Sequence, residues 1–310
     1  MAIRLHELQE LDKLEERLSP LAGKPGGDFD ARVQCLRLLR RMRLRRSECV
    51  VMYGQELVKN KAWTRRLGTQ LWDVYEQVAL AALDTGDLEL AQECGNAVAR
   101  KFPGSQRVAK MAGMLLEAQE EWEEADRVYK ETLEETPGSH LIHKRRVAAL
   151  KSQGNLTGAA EALNAYLDIF QADAEGWREL AEIYIKLQQY RQAAYCYEEV
   201  LVSQPQNSLI HMAYADVLYT LGGVDNFRLA RKYYAAAVEI SGGGNVRALY
   251  GIVQSAAAIA AATKGNKRGE PESTDLPLLA VDVLKKEYQQ HCPALLPIVT
   301  RTLDGQVALL

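Results

Sequence analysis

The sequence predicts an all-α protein, an α-solenoid of stacked helix–turn–helix repeats, and three observations carry the prediction. Ala, Leu, Glu, Lys, Arg and Gln are abundant, whereas 310 residues hold only 9 prolines and 4 phenylalanines, a balance that favours helix over sheet. Ala91, Ala125, Ala159 and Ala193 recur at one constant interval, and Ala230 follows once three inserted residues are allowed. Each alanine also stands in the same company. Three residues earlier come Leu88, Trp122, Leu156, Tyr190 and Phe227; four later, Gly95, Tyr129, Leu163, Tyr197 and Tyr234; eight later, Ala99, Leu133, Leu167, Leu201 and Val238; twelve later, Pro103, Pro137, Gln171, Pro205 and Gly242. Self-similarity at one fixed period over five copies is the signature of a repeat array.

The elements follow in order. Residues 1–70 read as N-terminal helices, a cap or a degenerate repeat: one helix ends near Ser19-Pro20, "AGKPGGD" (22–28) is a flexible break, and residues 29–60 hold one or two further helices. Residues 71–262 hold the five copies and a capping helix. Within each copy, small residues such as Ala181 and Ala193 let two helices approach closely, and Trp177, Tyr184 and Tyr197 fill the gaps to the next pair. A proline then ends the second helix, because it lacks an N–H and disfavours helix in the residue before it. In the fifth copy "LGGVDNF" (221–227) replaces the tighter "LQQY" (187–190) and accounts for the insertion. "VRALYGIVQSAAAIAAA" (246–262) is a lone helix that covers the end of the stack. Residues 263–275 are polar with Gly and Pro, a mobile linker. In the final segment, 276–310, residues 276–291 are helical and the form beyond Pro293 is open.

This pattern resembles the tetratricopeptide repeat, a helix–turn–helix unit of about 34 residues whose copies stack as a right-handed solenoid. The fourth copy fills the family pattern with Trp177, Leu180, Ala181, Tyr184, Ala193, Tyr197 and Pro205, and the second with Ala112, Gly113, Leu116, Ala125, Tyr129 and Pro137. Arg146 stands where the third copy should have a leucine. One hairpin cannot bury its apolar face alone, so the copies must stack.

Composition narrows the function. A net charge of −3 speaks against generic nucleic-acid binding by the whole chain. Five widely spaced cysteines with no C-x-x-C suggest reduced thiols in a cytosolic compartment. The first twenty residues are charged throughout, which argues against a secretory signal. The nearest approach to a membrane span, Ile252–Ala262, reads as a packed helix. No phosphate-binding glycine loop and no G-x-S-x-G occurs, so the expectation is a non-enzyme without cofactor. His140 and His143 lack the neighbours of a metal site and read as a surface pair.

The fifth position of the first helix of each copy, which faces the concave side in such repeats, is Glu76, Lys110, Lys144, Arg178 and Met212. With Arg107, Arg145, Lys151 and His211 these form a candidate partner-binding groove. A ladder of bases would favour an acidic peptide through steering and charge-assisted hydrogen bonds. The carboxylate-holding set of chaperone-binding relatives is not reproduced, since Glu76, Leu80, Met111, Leu141 and Arg145 stand in its places and only Arg145 fits. "RLLRRMRLRR" (Arg37–Arg46) holds six arginines in ten residues. It reads either as a packed cap helix with a basic face or as a contact for acidic lipid, protein or a nucleic-acid backbone.

Several stretches go further: "LWDVYEQVALAALDTGDLELAQEC" (71–94), "KFPGSQRVAKMAGMLLEA" (101–118), "YADVLYTLGGVDNFRLARKYYAAAVEI" (214–240) and "RALYGI" (247–252) resemble the family of ER membrane protein complex subunit 2 over roughly residues 36–262. The resemblance implies a scaffold without catalysis, peripheral at the cytoplasmic face of the endoplasmic reticulum. There it would hold cytosolic segments of membrane-spanning subunits and another soluble subunit, in a complex that inserts tail anchors and terminal helices. The alternative is a free tetratricopeptide adaptor or co-chaperone for acidic segments. A third reading is an RNA-associated helical scaffold using Arg37–Arg46.

Overall fold

A computed structural model describes residues 2–21, 28–263 and 273–308, and among these every regular element is a helix. The breaks at 22–27 and most of the linker expected at 263–275 lie outside the described residues. The chain forms two compact units, Met1–Gly154 and Asn155–Leu310.

The N-terminal unit begins with α1 (Ala2–Leu18), α2 (Phe29–Met42) and α3 (Ser47–Lys59). A short α4 (Lys61–Leu67) follows, started by Asn60, whose side chain accepts from the N–H groups of Ala62 and Trp63. Next come α5 (Leu71–Thr85), α6 (Leu88–Lys101), α7 (Gln106–Ala118), α8 (Trp122–Glu135) and α9 (His140–Ser152). The expectation of one or two helices in 29–60 resolves as two, and α4 is a third piece that the apolar pattern did not reveal. Helix α3 packs on α5, so the N-terminal helices share a core with the first repeat: Leu36, Leu39 and Leu57 are buried together with Val78, Ala82 and Ala91.

The C-terminal unit comprises α10 (Leu156–Ile169), α11 (Ala174–Lys186), α12 (Tyr190–Ser203), α13 (Ser208–Leu221), α14 (Val224–Ile240), α15 (Val246–Thr263), α16 (Asp275–His291) and α17 (Leu296–Val307). Pro293 and Pro297, which left the end of the chain open in the sequence, each sit at the start of a helical segment, where a missing N–H costs no bond. Helix α15 reaches the length and hydropathy at which a helix could cross a bilayer, 1.3 over 18 residues. It is packed against α14 and α16, with Leu249, Ile252, Val253, Ala256 and Ile259 buried.

The repeat chemistry is visible at each turn. Helices α6, α8 and α12 end at Lys101, Glu135 and Ser203, two residues before Pro103, Pro137 and Pro205. Ala91, Ala125, Ala159, Ala193 and Ala230 are all buried, none more than 4% exposed. Ala181 is fully buried, Tyr197 is buried, and Trp177 and Tyr184 are half-buried. A Cβ on Gly113 would lie 2.3 Å from the Tyr129 ring, and one on Gly251 would lie 2.6 Å from the Tyr234 ring, so each glycine makes the space its tyrosine fills. Between the first and second helix of each copy φ is positive at Gly86, Glu120, Gly154, Gln188 and Gly222, again at the interval of the alanines. At the turns after α5, α7 and α11, the N–H groups of Asp87, Glu121 and Gln189 reach back to the carbonyls of Ala82, Leu116 and Tyr184, closing the helix end as a Schellman motif does.

Candidate protein-binding surface

In the N-terminal unit the fifth positions of the first helices are Glu76 on α5, Lys110 on α7 and Lys144 on α9. The cations beside them are largely engaged within the protein. The Arg107 guanidinium donates to Glu76, with Nε 3.2 Å from Oε1. Arg145 makes a two-armed contact with Glu117, its Nε 3.0 Å from Oε1. Glu117 is only 8% exposed, and it also accepts the hydroxyl of Tyr129. Burial, then that hydrogen bond, push Tyr129 well above the ordinary phenol value. Burial works to lower Arg145, but Glu117 outweighs it and holds the guanidinium above its usual value. Lys144 and Lys151 are half-buried on α9. Arg146, standing where a repeat leucine was expected, pairs with Asp126 at 2.7 Å.

In the C-terminal unit Arg178 is exposed on α11, 3.9 Å from Glu182 one turn away. The Met212 sulfur faces Asn245 Nδ2 at 3.5 Å. The ring of His211, a candidate groove residue, reaches back to the loop that closes the preceding copy, Nε2 standing 2.8 Å from the Pro205 carbonyl. His143, from the expected surface pair, does the same to Pro137 in the N-terminal unit at 2.9 Å, and Trp177 Nε1 donates to the Gln171 carbonyl at 2.8 Å. A carbonyl only accepts, so both histidines present Nε2–H. Positions 143, 177 and 211 are equivalent in successive copies, so a ring N–H at this position latches the preceding loop. The alternation of His and Trp hid this shared role from a reading of side-chain type.

The basic run is likewise tied in. Arg41, Arg45 and Arg46 pair with Glu7, Asp84 and Glu15, while Arg37 and Arg40 donate to Gln70 and Gln77. These contacts bind α2 and the α2–α3 link to α1, to α5 and to the turn just before α5. The hydrogen bond from Arg45, aided by Ser47 and opposed by burial, holds Asp84 below the usual carboxylate range. Arg43 alone in the run has no side-chain partner among the described residues, and it sits in the left-handed conformation that ends α2.

Helices of regular length in series, a buried alanine at the same phase of each copy and a positive-φ turn at the same interval define the chain as a tetratricopeptide-repeat protein. The C-terminal part of a TPR repeat-containing protein from Cytophaga hutchinsonii superposes with a TM-score of 0.55 at 14% identity, over 81% of this chain and 97% of that one, a likeness of fold alone. Residues 97–227 match the family model of the EMC2 TPR-like repeat domain. The ER membrane protein complex subunit 2-A of Xenopus laevis is 38% identical over 245 residues, 79% of this chain and 82% of that protein. The ER membrane protein complex subunit 2 of Dictyostelium discoideum is 36% identical over 207 residues, 66% of this chain and 64% of that protein. The chain belongs to the ER membrane protein complex subunit 2 family.

Proposed function

We propose that the protein is a non-catalytic scaffold, peripheral at the cytoplasmic face of the endoplasmic reticulum membrane. It organises the membrane-spanning subunits of an insertase for transmembrane segments, tail anchors and terminal helices among them. The observation that carries the reading is the 38% identity to an ER membrane protein complex subunit across most of both chains. The repeat architecture supports it, because stacked hairpins offer long side-chain-lined surfaces to other polypeptides.

Its partners on this reading are cytosolic segments of membrane-spanning subunits and a second soluble subunit, met in part through Lys110, Lys144 and Arg178. In the arginine run Arg37–Arg46, three of the six cations, Arg41, Arg45 and Arg46, are already matched by carboxylates inside the protein, which leaves less charge for an acidic lipid surface. The free co-chaperone reading loses its one matching residue, because Arg145 is held by Glu117. The test is affinity purification of the full chain from detergent-solubilised native membranes. Membrane-spanning subunits should co-purify stably, and the triple charge reversal K110E/K144E/R178E should weaken that assembly with helicity unchanged. Recovery of the chain only as a free protein would refute the reading.

A further inference from the structure

We propose that a cavity in the N-terminal unit, between the α2–α3 link and helices α5, α7 and α9, receives an acidic partner segment that inserts an apolar side chain. The proposal deepens the scaffold reading and rests on it. The cavity has a volume of about 370 Å³. Its lining includes Arg43, Arg45, Arg46, Lys110 and Arg145 against one carboxylate, Asp84, together with the apolar Val50, Leu80 and Met114. Such a mixture of apolar wall and convergent charge is typical of a specific ligand site.

The charges are unequally disposed. Arg45, Arg46 and Arg145 are matched by Asp84, Glu15 and Glu117, but Arg43 and Lys110 are engaged by no carboxylate among the described residues. Five cations against three acids leave the site positive. Arg43 is also exposed at φ 55°, in the left-handed position after α2 that glycine occupies with least strain. The chain thus keeps a long cation in the lining of the cavity where helix capping alone would favour glycine, a strain of the kind that gathers at binding sites. A thioether and two aliphatic side chains suit Leu, Met or Phe on the entering segment. No aromatic side chain lines the cavity, so base stacking finds no platform there, and the apolar wall offers nothing to a lipid headgroup.

The probe is a fluorescein-labelled peptide of alternating Glu and Asp interrupted by a Leu-Leu pair, titrated with the full chain and followed by anisotropy. Binding should weaken with salt, and it should be lost when the acids become Gln and Asn or the leucines become Ser. Arg43→Gly should weaken it about fivefold, the upper worth of an exposed ion pair, while the melting temperature holds or rises. Lys110→Glu should weaken it at least as much. Peptide binding unchanged in both variants, or equal binding of the neutral peptide, would overturn the proposal. So would tighter Arg43-dependent binding to phosphatidylserine vesicles than to the peptide. Co-purification of the unmutated chain with membrane subunits is scored separately. If it persists while the peptide fails, the cavity proposal falls and the scaffold reading stands; if it is absent, the scaffold reading falls.

Discussion

Glycine should stabilise this protein at Glu120 and at Gln188, and the reason is the repeat itself. The turn inside each of five successive copies has a positive φ, of 79°, 63°, 75°, 59° and 73° at Gly86, Glu120, Gly154, Gln188 and Gly222. An L side chain in that region costs about 1–2 kcal/mol. Replacing it by glycine recovers that cost but adds freedom to the unfolded chain, worth about 0.4–1 kcal/mol in the other direction. The exposed side chains of Glu120 and Gln188 make no hydrogen bond or ion pair among the described residues, so nothing else is lost. The net expectation is a gain of roughly 0.5–1 kcal/mol at each site. The converse pair is cleaner still. A Cβ at Gly86 or Gly154 would meet nothing within 4 Å, so Gly86→Ala and Gly154→Ala destabilise through the backbone alone, by about 1 kcal/mol or more. Urea unfolding followed by circular dichroism reads all four variants as shifts of midpoint at constant slope. Lower midpoints for both glycine variants, with alanine tolerated at Gly86 and Gly154, would refute the argument from backbone conformation.

Other expectations follow from single sites. Gly95 stands inside α6 where other copies place Tyr129, Leu163, Tyr197 and Tyr234; it borders a cavity of about 80 Å³, and a Cβ there meets nothing within 4 Å. Gly95→Ala should therefore raise stability by about 1 kcal/mol, read as a higher melting temperature. Glu117→Ala leaves Arg145 and the Tyr129 hydroxyl without their shared acceptor and should cost about 3 kcal/mol, whereas Tyr129→Phe should cost about 1 kcal/mol; equal losses in urea would contradict the geometry. Asp84 is lowered by its hydrogen bond from Arg45, and Asp126, despite burial, by those from Lys130 and Arg146. A depressed carboxylate stabilises above its unfolded value near pH 4 and loses that contribution as pH falls through its folded value. Stability should thus drop on acidification below about pH 4, and the drop should be shallower in Asp84→Asn. Burial pushes Cys35, Cys94 and Cys196 up to about 12, while Cys292 is exposed, so Ellman's reagent should titrate Cys292 first and the buried three only on unfolding.

What the sequence discloses and what it hides divide along physical lines. The alanines at 91, 125, 159, 193 and 230 are legible because close helix packing forces one small residue at one fixed phase of every copy. The prolines at 103, 137 and 205 are legible because chain stiffness acts on adjacent residues. The ion pairs are not, because Arg107 meets Glu76 and Arg145 meets Glu117 from separate helices, far apart along the chain, and nothing local marks one carboxylate among many as the partner. A row of bases therefore reads as a free cationic ladder although two of its neighbours are neutralised. The positive-φ turn was within reach, since Gly86, Gly154 and Gly222 lie two periods apart, but Glu120 and Gln188 between them mask the pattern. Helix α17 was hidden for a different reason: proline forbids helix before it and favours helix after it, and residue type alone does not say which side prevails.

A scaffold is defined by where it sits in its assembly. A cryo-microscopy map of the detergent-solubilised complex purified through this chain measures that directly. The prediction is density for the repeat hairpins outside the bilayer on the cytosolic side, in contact with cytosolic segments of membrane-spanning subunits, and α15 packed between α14 and α16. A map with α15 crossing the bilayer, or one in which this chain touches no membrane-spanning subunit, would contradict it.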